Sequence, residues 1–182
     1  KPKFDPRHAG RTLAAAARSL CRSKAATAHF ALGSIEVKDR DANWLASQLS
    51  RALEDASYRY DSTKSKKPGQ VSLKSVSLTP PTGARRKAVQ EALKYGQAVG
   101  QGMNVAKELG NLPGNICTPT YLANEGKSLA DKYKSISTRV LTEKQMARLG
   151  MGSLLSVAAG SAEEAKLIIM EYKGAAAKSE PY

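Results

Sequence analysis

Helical periods of apolar residues alternate with short apolar runs along this chain, and that alternation constrains its fold most. Apolar residues recur at three- and four-residue steps in four segments, which predicts helices over 6–23, 42–60, 84–109 and 119–134. Short apolar or alternating runs predict strands over 25–32, 71–78, 136–141 and 166–172. Helices that alternate with strands in this way indicate an α/β fold.

Capping residues mark the starts of three helices. Asp41 is placed to cap the second helix, and Thr118 followed by Pro119 combines a hydroxyl cap with proline at the first helical position. Thr142 with Gln145 three residues later forms a capping box for a further short helix that ends at Gly150. These signals fix helix starts more closely than apolar periodicity does.

The strand over 166–172 (KLIIMEY) is apolar on both faces. A continuous apolar run of this kind is typical of a strand in a parallel sheet that is covered on both sides. We therefore expect it to lie in a parallel sheet.

The helix over 84–109 is about 40 Å long, which is longer than most helices inside a compact domain. A helix of that length is suited to connecting two domains, and we place the boundary near residue 108. Gly96, Gly100 and Gly102 lie within it, and such small residues allow another helix to approach closely. They do not follow a strand, so they do not fit a phosphate-binding loop.

Basic residues exceed acidic ones, with 29 Lys and Arg against 16 Asp and Glu and a formal net charge of +13. Clusters such as 85–87 (RRK) and 64–67 (KSKK) are able to follow a phosphate backbone, so a nucleic-acid-binding module without catalysis remains the alternative function. Aromatic residues make up only 5% of the chain, and no helix-turn-helix or zinc-finger spacing is present. Nucleic acid is therefore a secondary prediction.

The lengths of the apolar runs and the two cysteines bear on membrane association and on the cellular compartment. No apolar run approaches the roughly 18 residues of a membrane span, so no membrane partner is expected. Cys21 and Cys117 lie far apart and suggest no disulfide framework, which favours a reducing compartment.

Acidic residues that could hold a metal or exchange protons are few and scattered. Asp39 and Asp41 lie two positions apart in a turn, which fits a helix cap better than a calcium loop. Glu163 and Glu164 are adjacent and fit a solvated turn. No acidic pair therefore predicts a metal or acid–base site.

Histidine, cysteine and glycine give no stronger signal. His8 and His29 share no ligand spacing with each other or with a cysteine, and His29 fits an ordinary residue of a strand. Cys117 has no histidine nearby in sequence, and Gly150 fits the end of a helix. The residues alone therefore predict no catalytic, cofactor-binding or metal-binding position in this chain.

Several motifs nevertheless resemble one family in order. Residues 106–119 (AKELGNLPGNICTP), continued by 121–123 (YLA), resemble the signature that opens the catalytic domain of leucyl aminopeptidases, also called cytosol aminopeptidases. Upstream, 58–66 (YRYDSTKSK) is similar to the segment that precedes the interdomain stretch of that family. Further similar segments follow in the family's order at 143–146 (EKQM), 149–152 (LGMG), 157–161 (VAAGS) and 171–174 (EYKG). The chain thus resembles a member of the bacterial type.

The resemblance implies that the chain is an internal fragment with three parts. Residues 1–83 correspond to the C-terminal part of an N-terminal α/β domain similar to the macro fold, and 84–108 correspond to a connecting helix. Residues 109–182 correspond to the start of an α/β peptidase domain. For the parent protein, the resemblance implies hydrolysis of N-terminal residues, often Leu, from peptides with a free N-terminus.

The resemblance also implies two divalent metal ions, manganese or zinc, in a cytoplasmic homohexamer. The family's ligands and catalytic residues lie in a G-K-G-x-x-F-D-x-G-G stretch and an N-T-D-A-E-G-R stretch, and neither occurs in this chain. No catalytic, cofactor-binding or metal-binding residue is therefore assigned here. We expect the 182-residue chain alone to bind no metal and to be inactive.

Overall fold

A computed structural model describes residues 4–175 of the chain. The chain forms two compact units, Lys1–Asn111 (unit 1) and Leu112–Tyr182 (unit 2). Unit 1 contains α1 (Pro6–Arg22), β1 (Thr27–Ala31), α2 (Ala42–Ser57), β2 (Ser75–Thr79) and α3 (Arg86–Asn111). Unit 2 contains α4 (Pro119–Lys132), β3 (Ile136–Thr142), α5 (Glu143–Arg148), α6 (Gly152–Ala158) and β4 (Lys166–Tyr172). Helices and strands mix in both units, which confirms the α/β prediction.

The predicted caps are confirmed. Asp41 accepts a hydrogen bond from the amide of Trp44 at 2.8 Å, and Thr118 accepts one from the amide of Tyr121 at 3.2 Å. The Thr142–Gln145 capping box is formed in both directions. Each cap satisfies amides that the first turn of a helix leaves without an intrahelical partner. Gly150, with a φ of 71°, follows α5 as its predicted end.

The core of unit 1 lies where α1 and α2 pack against the small sheet. Leu13, Leu32, Leu45 and Leu49 are all buried there, and Phe30 of β1 and Leu78 of β2 pack against them. A second cluster continues along the same helices, with members Ala17, Cys21, Ala52 and Ala56. Alanine at these positions lets the two helices run close together, so the core is formed by small side chains at this end.

Helix α3 packs on α2 through two of the glycines that the sequence singled out. A Cβ added at Gly96 would lie 2.8 Å from the carbonyl carbon of Ser47, and closer still to its oxygen. A Cβ added at Gly100 would lie 3.2 Å from the carbonyl oxygen of Arg51. The close-approach prediction is therefore confirmed for Gly96 and Gly100. It is wrong for Gly102, which faces open space.

The sheet of unit 1 has two parallel strands, with Phe30 opposite Leu78 in register. The predicted strand over 71–78 is only half correct, because residues 71–74 are not in a strand. Pairing with β1 starts at Thr27 opposite Ser75, so the earlier alternating residues have no strand beside them. The pattern of apolar residues reports which side is buried, but not where a partner strand begins.

Unit 2 is a two-stranded sheet with α4 on one face. Gly126 of α4 lies over the sheet, where an added Cβ would be 3.2 Å from Ile168 and 3.3 Å from Thr138. The Thr138 hydroxyl donates to the Gly126 carbonyl oxygen at 2.7 Å. Buried apolar side chains are few among the described residues of this unit: Ala123, Leu141 and Met146.

The strand over Lys166–Tyr172 forms with its predicted bounds, but the predicted parallel pairing is wrong. β4 pairs with β3 in antiparallel direction, with Val140 opposite Ile168. An apolar run carries no information on strand direction, which depends on how the connection between the strands returns. The residues of β4 are half-buried or exposed, so the described part of the chain does not cover both faces of this strand. The connection contains α6, a helix that the sequence did not predict. Within residues 4–175, no helix is both long and apolar enough to cross a membrane.

Candidate functional site

A cluster of polar side chains in unit 1 lies where the loop after α2 meets the last turns of α3. We call it the Glu108 cluster, and its members are Tyr58, Ser62, Lys107, Glu108 and Asn111. Helix α2 ends at Ser57 because Tyr58 takes an extended backbone, with φ −58° and ψ 134°. That change of direction brings the Tyr58 side chain to α3.

Hydrogen bonds in the Glu108 cluster converge on one carboxylate. The Tyr58 hydroxyl donates to Glu108 Oε2 at 2.8 Å, and the Ser62 hydroxyl donates to Glu108 Oε1. Asn111 Nδ2 donates to the Tyr58 oxygen at 3.1 Å. Both carboxylate oxygens therefore have donors, so Glu108 ties the loop to the end of α3.

Lys107 adds a charge beside this group. Its ammonium pairs with Asp55 and lies 5.2 Å from the centroid of the Tyr58 ring. Burial raises the pKa of Tyr58 above 10.0, the Glu108 hydrogen bond raises it further, and the Asn111 hydrogen bond opposes the rise. The raised pKa favours the neutral, hydrogen-bond-donating form of the Tyr58 hydroxyl.

The Glu108 cluster is suited to positioning rather than to catalysis. It contains no histidine or thiol, and its one carboxylate, that of Glu108, already accepts two hydrogen bonds. A general base needs access to a substrate proton, and a nucleophile needs an adjacent base. The chemistry that this arrangement supports is the fixing of the α3 end.

Sequence reasoning missed this cluster as a set of interacting residues. Tyr58 and Glu108 are 50 positions apart, and no period links them. The available signal was that residues 58–66 and 106–119 both carried the family resemblance. The first of these motifs and the start of the second, up to Asn111, lie in the same unit, where mutual contact is expected.

His29 lies on the exposed face of β1 with two hydroxyl partners on β2. Its Nδ1 is 2.8 Å from Ser77 Oγ, and its Nε2 is 3.1 Å from Thr79 Oγ1. Among residues 4–175, no carboxylate is hydrogen-bonded to the ring in a way that would orient it as a catalytic base. His29 thus lies on the exposed face of a strand, with hydroxyl groups of the neighbouring strand at both ring nitrogens.

The other candidates from the sequence also have local roles. His8 stacks on Phe4 with ring centroids 6.1 Å apart. The Cys117 amide donates to the Pro113 carbonyl at 2.9 Å inside the turn before α4. The Glu164 carboxylate pairs with Lys166, and this hydrogen bond lowers the pKa of Glu164 below its usual value. Asp39 adopts a left-handed φ of 55°, which fits the turn before the Asp41 cap.

The part of the chain that the structure describes contains no group of side chains suited to binding a metal ion. No three His, Cys, Asp or Glu side chains come together there in a way that could hold an ion. The divalent metals that the family resemblance implies therefore do not fit any group of residues 4–175. No catalytic step is derived through them.

A cavity of about 690 Å³ opens in unit 1 between α2, α3 and the segment leading into β2. Its floor is apolar, with Leu53, Val76 and Leu93 among the residues that line it. Three charged residues also line the cavity: Glu54, Lys74 and Arg86. The cavity therefore has the character of an open groove without a convergent set of catalytic groups.

Two family models match the chain. The model described as the cytosol aminopeptidase family, N-terminal domain, matches residues 1–67. The model described as the cytosol aminopeptidase family, catalytic domain, matches residues 104–182. Both belong to one family and occur in the order of a single protein.

Curated relatives agree with these matches. A probable cytosol aminopeptidase of Alkalilimnicola ehrlichii is 42% identical over 180 residues, which is 98% of this chain and 36% of the relative. The cytosol aminopeptidase of Pseudomonas aeruginosa is 40% identical over 173 residues, 94% of this chain and 35% of the relative. The chain thus spans about a third of the length of these relatives. They give nucleic-acid binding no support.

Solved structures give the same fold. A mutant of tomato leucine aminopeptidase matches with a TM-score of 0.77 and 27% identity, covering 91% of this chain and 33% of that one. The bottromycin maturation enzyme BotP, in complex with Mn, matches with a TM-score of 0.70 and 24% identity. This second match covers 88% of this chain and 33% of BotP, and it supports the fold alone.

Proposed function

Because the chain belongs to the cytosol aminopeptidase family, we propose that it is part of a two-metal leucyl aminopeptidase. The whole enzyme hydrolyses N-terminal residues, often Leu, from peptides with a free N-terminus. The observation that carries this proposal is the presence of both family domains, in order, on one chain. The identity of 40% or more to cytosol aminopeptidases over nearly the whole chain adds support.

In this proposal the 182 residues supply scaffold. Residues 1–83 are the C-terminal part of the N-terminal domain, 84–108 are the connecting helix, and 109–182 begin the peptidase domain. The Glu108 cluster supports this role, since it fixes the end of α3 at the point where unit 1 stops.

Metal ligands and catalytic residues lie, on this proposal, in polypeptide that the relatives have and this chain does not include. The absence of the family's two catalytic motifs from the sequence supports this assignment. The metals are manganese or zinc, and the enzyme is a cytoplasmic homohexamer. The family resemblance supports the metals and the hexamer, and the relatives' name, cytosol aminopeptidase, supports the compartment.

A chimera tests the proposed function. The chain replaces the homologous 173-residue stretch of the Pseudomonas aeruginosa cytosol aminopeptidase, and release of p-nitroaniline from Leu-p-nitroanilide is measured with Mn²⁺. We expect activity within about tenfold of the unmodified enzyme, because scaffold segments of one family preserve the site geometry. N-acetyl-Leu-p-nitroanilide, which has no free amine, is the control and stays intact. A chimera that is folded by circular dichroism and yet inactive contradicts the proposal.

The isolated chain tests the assignment of the catalytic residues. We expect no release of p-nitroaniline by the 182-residue chain with Mn²⁺ or Zn²⁺, and no stoichiometric uptake of either ion in calorimetry. Tight binding of two ions per chain, or turnover that chelation abolishes, would show that the ligands lie within these residues.

A further inference from the structure

The connection between α2 and β2 contains a long exposed stretch. All nine residues of 62–70 (STKSKKPGQ) are exposed, and no longer uninterrupted exposed run occurs within residues 4–175. We call this stretch the 62–70 loop. It lies in neither a helix nor a strand, and no hydrogen bond to another described residue holds its backbone over 65–70. Exposed polar loops of this kind are preferred places for proteases to cut a folded chain.

Three lysines determine which kind of protease fits the 62–70 loop. Lys64, Lys66 and Lys67 lie within four consecutive positions. A protease whose specificity pocket holds a carboxylate, as that of trypsin does, binds a basic side chain next to the bond it cleaves. The bond after Lys67 precedes Pro68, which has no backbone N–H and a fixed φ, so it is a poor substrate. The bonds after Lys64 and Lys66 therefore fit such a protease.

The same positive charge favours keeping the loop in water. The Lys67 ammonium lies 3.9 Å from the Asp61 carboxylate, and the Lys67 side chain is 73% exposed. Covering the loop with further polypeptide would take three ammonium groups out of water, which is costly unless each one gains a partner. We therefore expect the loop to be accessible in a longer chain as well as in this one.

Basic residues at other turns lie in segments that are shorter or better held. The Lys38 amide donates to the Phe4 carbonyl at 2.9 Å, which holds the exposed turn before α2. In the same turn the Arg40 amide donates to the Val37 carbonyl at 3.3 Å. Lys134 lies in a three-residue connection between α4 and β3. A protease needs several extended residues around the bond, and these turns supply them only after local unfolding.

Contacts that hold unit 1 together cross the 62–70 loop. Helix α2 precedes the loop and α3 follows it, and the Ser50 hydroxyl donates to the Leu93 carbonyl at 2.8 Å. Further along the two helices, Asn104 Nδ2 donates to the Glu54 carbonyl at 2.9 Å. Strands β1 and β2 also lie on opposite sides of the loop and pair directly. These contacts do not require an unbroken loop.

We propose that the 62–70 loop is a cleavage site for a protease of trypsin-like specificity, and that unit 1 stays assembled after the cut. Water adds across the amide bond after Lys64 or Lys66, which leaves a carboxylate on one part and an ammonium on the other. Both new ends lie among exposed residues, so neither new charge is buried. The inference does not depend on the proposed function, because it concerns only contacts within unit 1.

Brief digestion of the 182-residue chain with a small amount of trypsin tests the site. Mass spectrometry of the products identifies the first internal bond that is cut, and we expect it to follow Lys64 or Lys66. Cuts near the chain ends, such as after Lys3 or Lys178, leave one large product and are therefore distinguished from an internal cut.

Size-exclusion chromatography tests whether the two parts stay together. At low micromolar concentration, the parts 1–66 and 67–182 should elute together at the position of the uncut chain, and denaturing electrophoresis of that fraction should show two bands. Fluorescence of Trp44, in the first turn of α2, should keep the emission maximum of the uncut chain. Parts that separate, or emission that shifts to that of the unfolded chain, overturn the proposed assembly.

Two variants separate the proposed bonds from the rest of the loop. The double variant Lys64→Gln and Lys66→Gln should slow the first internal cut at least about tenfold, because the remaining bonds become accessible only through local opening. Lys67→Gln is the matched control. It removes a lysine from the same loop but leaves both proposed bonds, so the rate of cutting should not change. A first internal cut outside the loop, or a double variant cut as fast as the unchanged chain, overturns the inference.

Discussion

Replacing Gly96 by Ala should destabilise unit 1, although alanine is the better helix former. An alanine Cβ at this position would lie 2.8 Å from both the carbonyl carbon and the Cα of Ser47, and closer still to the carbonyl oxygen. These are backbone atoms of α2, which cannot turn aside as a side-chain tip can. The two helices must therefore separate.

The expected magnitude follows from two opposing effects. Alanine in place of glycine inside a helix stabilises by about 1 kcal/mol. Forcing an extra carbon into a packed interface costs about 1–3 kcal/mol, and more when backbone must move. Because Ser47 offers only backbone to move, we take the upper part of this range and expect a net loss of about 2 kcal/mol.

Gly102→Ala is the matched control on the same helix. Nothing lies within 4 Å of the Cβ that it would add, so only the gain in helix propensity remains, about 0.5–1 kcal/mol of added stability. Gly100→Ala should fall between the two. Its Cβ would lie nearest to the Cβ of Glu54, which moves only with the α2 backbone, and 3.2 Å from the carbonyl oxygen of Arg51, whereas at Gly96 the nearest atoms all belong to the backbone.

Urea unfolding followed by tryptophan fluorescence measures the difference. The chain has one tryptophan, Trp44 in the first turn of α2, so the signal reports unit 1. With a slope of about 2 kcal/mol per molar urea, the Gly96→Ala midpoint should fall by about 1 M. If Gly96→Ala proves as stable as Gly102→Ala, then α2 and α3 are not in backbone contact there and the packing argument is wrong.

Three further predictions concern the caps, the Glu108 cluster and the cysteines. Thr142→Ala should cost unit 2 about 1 kcal/mol in thermal unfolding by removing the α5 cap, whereas Thr120→Ala, at an exposed position that caps no helix, should have little effect. The pKa of Tyr58 is raised in the folded chain, so its contribution to stability is present below pH 10 and is lost as pH rises through the raised pKa. Between pH 9 and pH 11, the free energy of unfolding in urea should therefore fall less in Tyr58→Phe than in the unchanged chain. Equal decreases in the two proteins would refute the assignment. Cys21 is 5% exposed, and burial raises the pKa of its thiol, with Arg59 opposing the rise. A thiol reagent should therefore label half-buried Cys117 at least about tenfold faster than Cys21. Labelling rates of the Cys21→Ser and Cys117→Ser variants would measure the two thiols separately.

Local features of the fold were predictable because their causes lie within a few residues. The caps at Asp41, Thr118 and Thr142 each depend on a side chain and an amide three positions away. The strand over Lys166–Tyr172 has the predicted bounds because its apolar run is continuous and ends at turns. Such signals survive in a single sequence because no distant partner is needed to produce them.

Pairing and long-range contacts were not predictable in the same way. The antiparallel direction of β4 depends on how α5 and α6 return the chain, and the sequence did not reveal α6 at all. The bonds of Glu108 with Tyr58 and Ser62 join residues 50 and 46 positions apart, so no periodicity points to them. Gly102 shows the same limit, since helical spacing did not distinguish a glycine facing α2 from one facing solvent.

The docking of α3 on α2 also sets an order of events during synthesis. The links between the helices join distant positions, as when Asn104 Nδ2 donates to the Glu54 carbonyl 50 residues earlier, so α2 emerges long before its partner. At ribosomal speeds of 5–20 residues per second the delay is roughly 3–10 s. The face of α2 that α3 later covers includes Ser50 and Glu54. The Ser50 hydroxyl then donates to the Leu93 carbonyl, and the Glu54 carboxylate accepts from Gln97. Because these polar groups remain hydrated, this face of α2 exposes little apolar surface for chaperones or neighbouring chains to bind before α3 is synthesised.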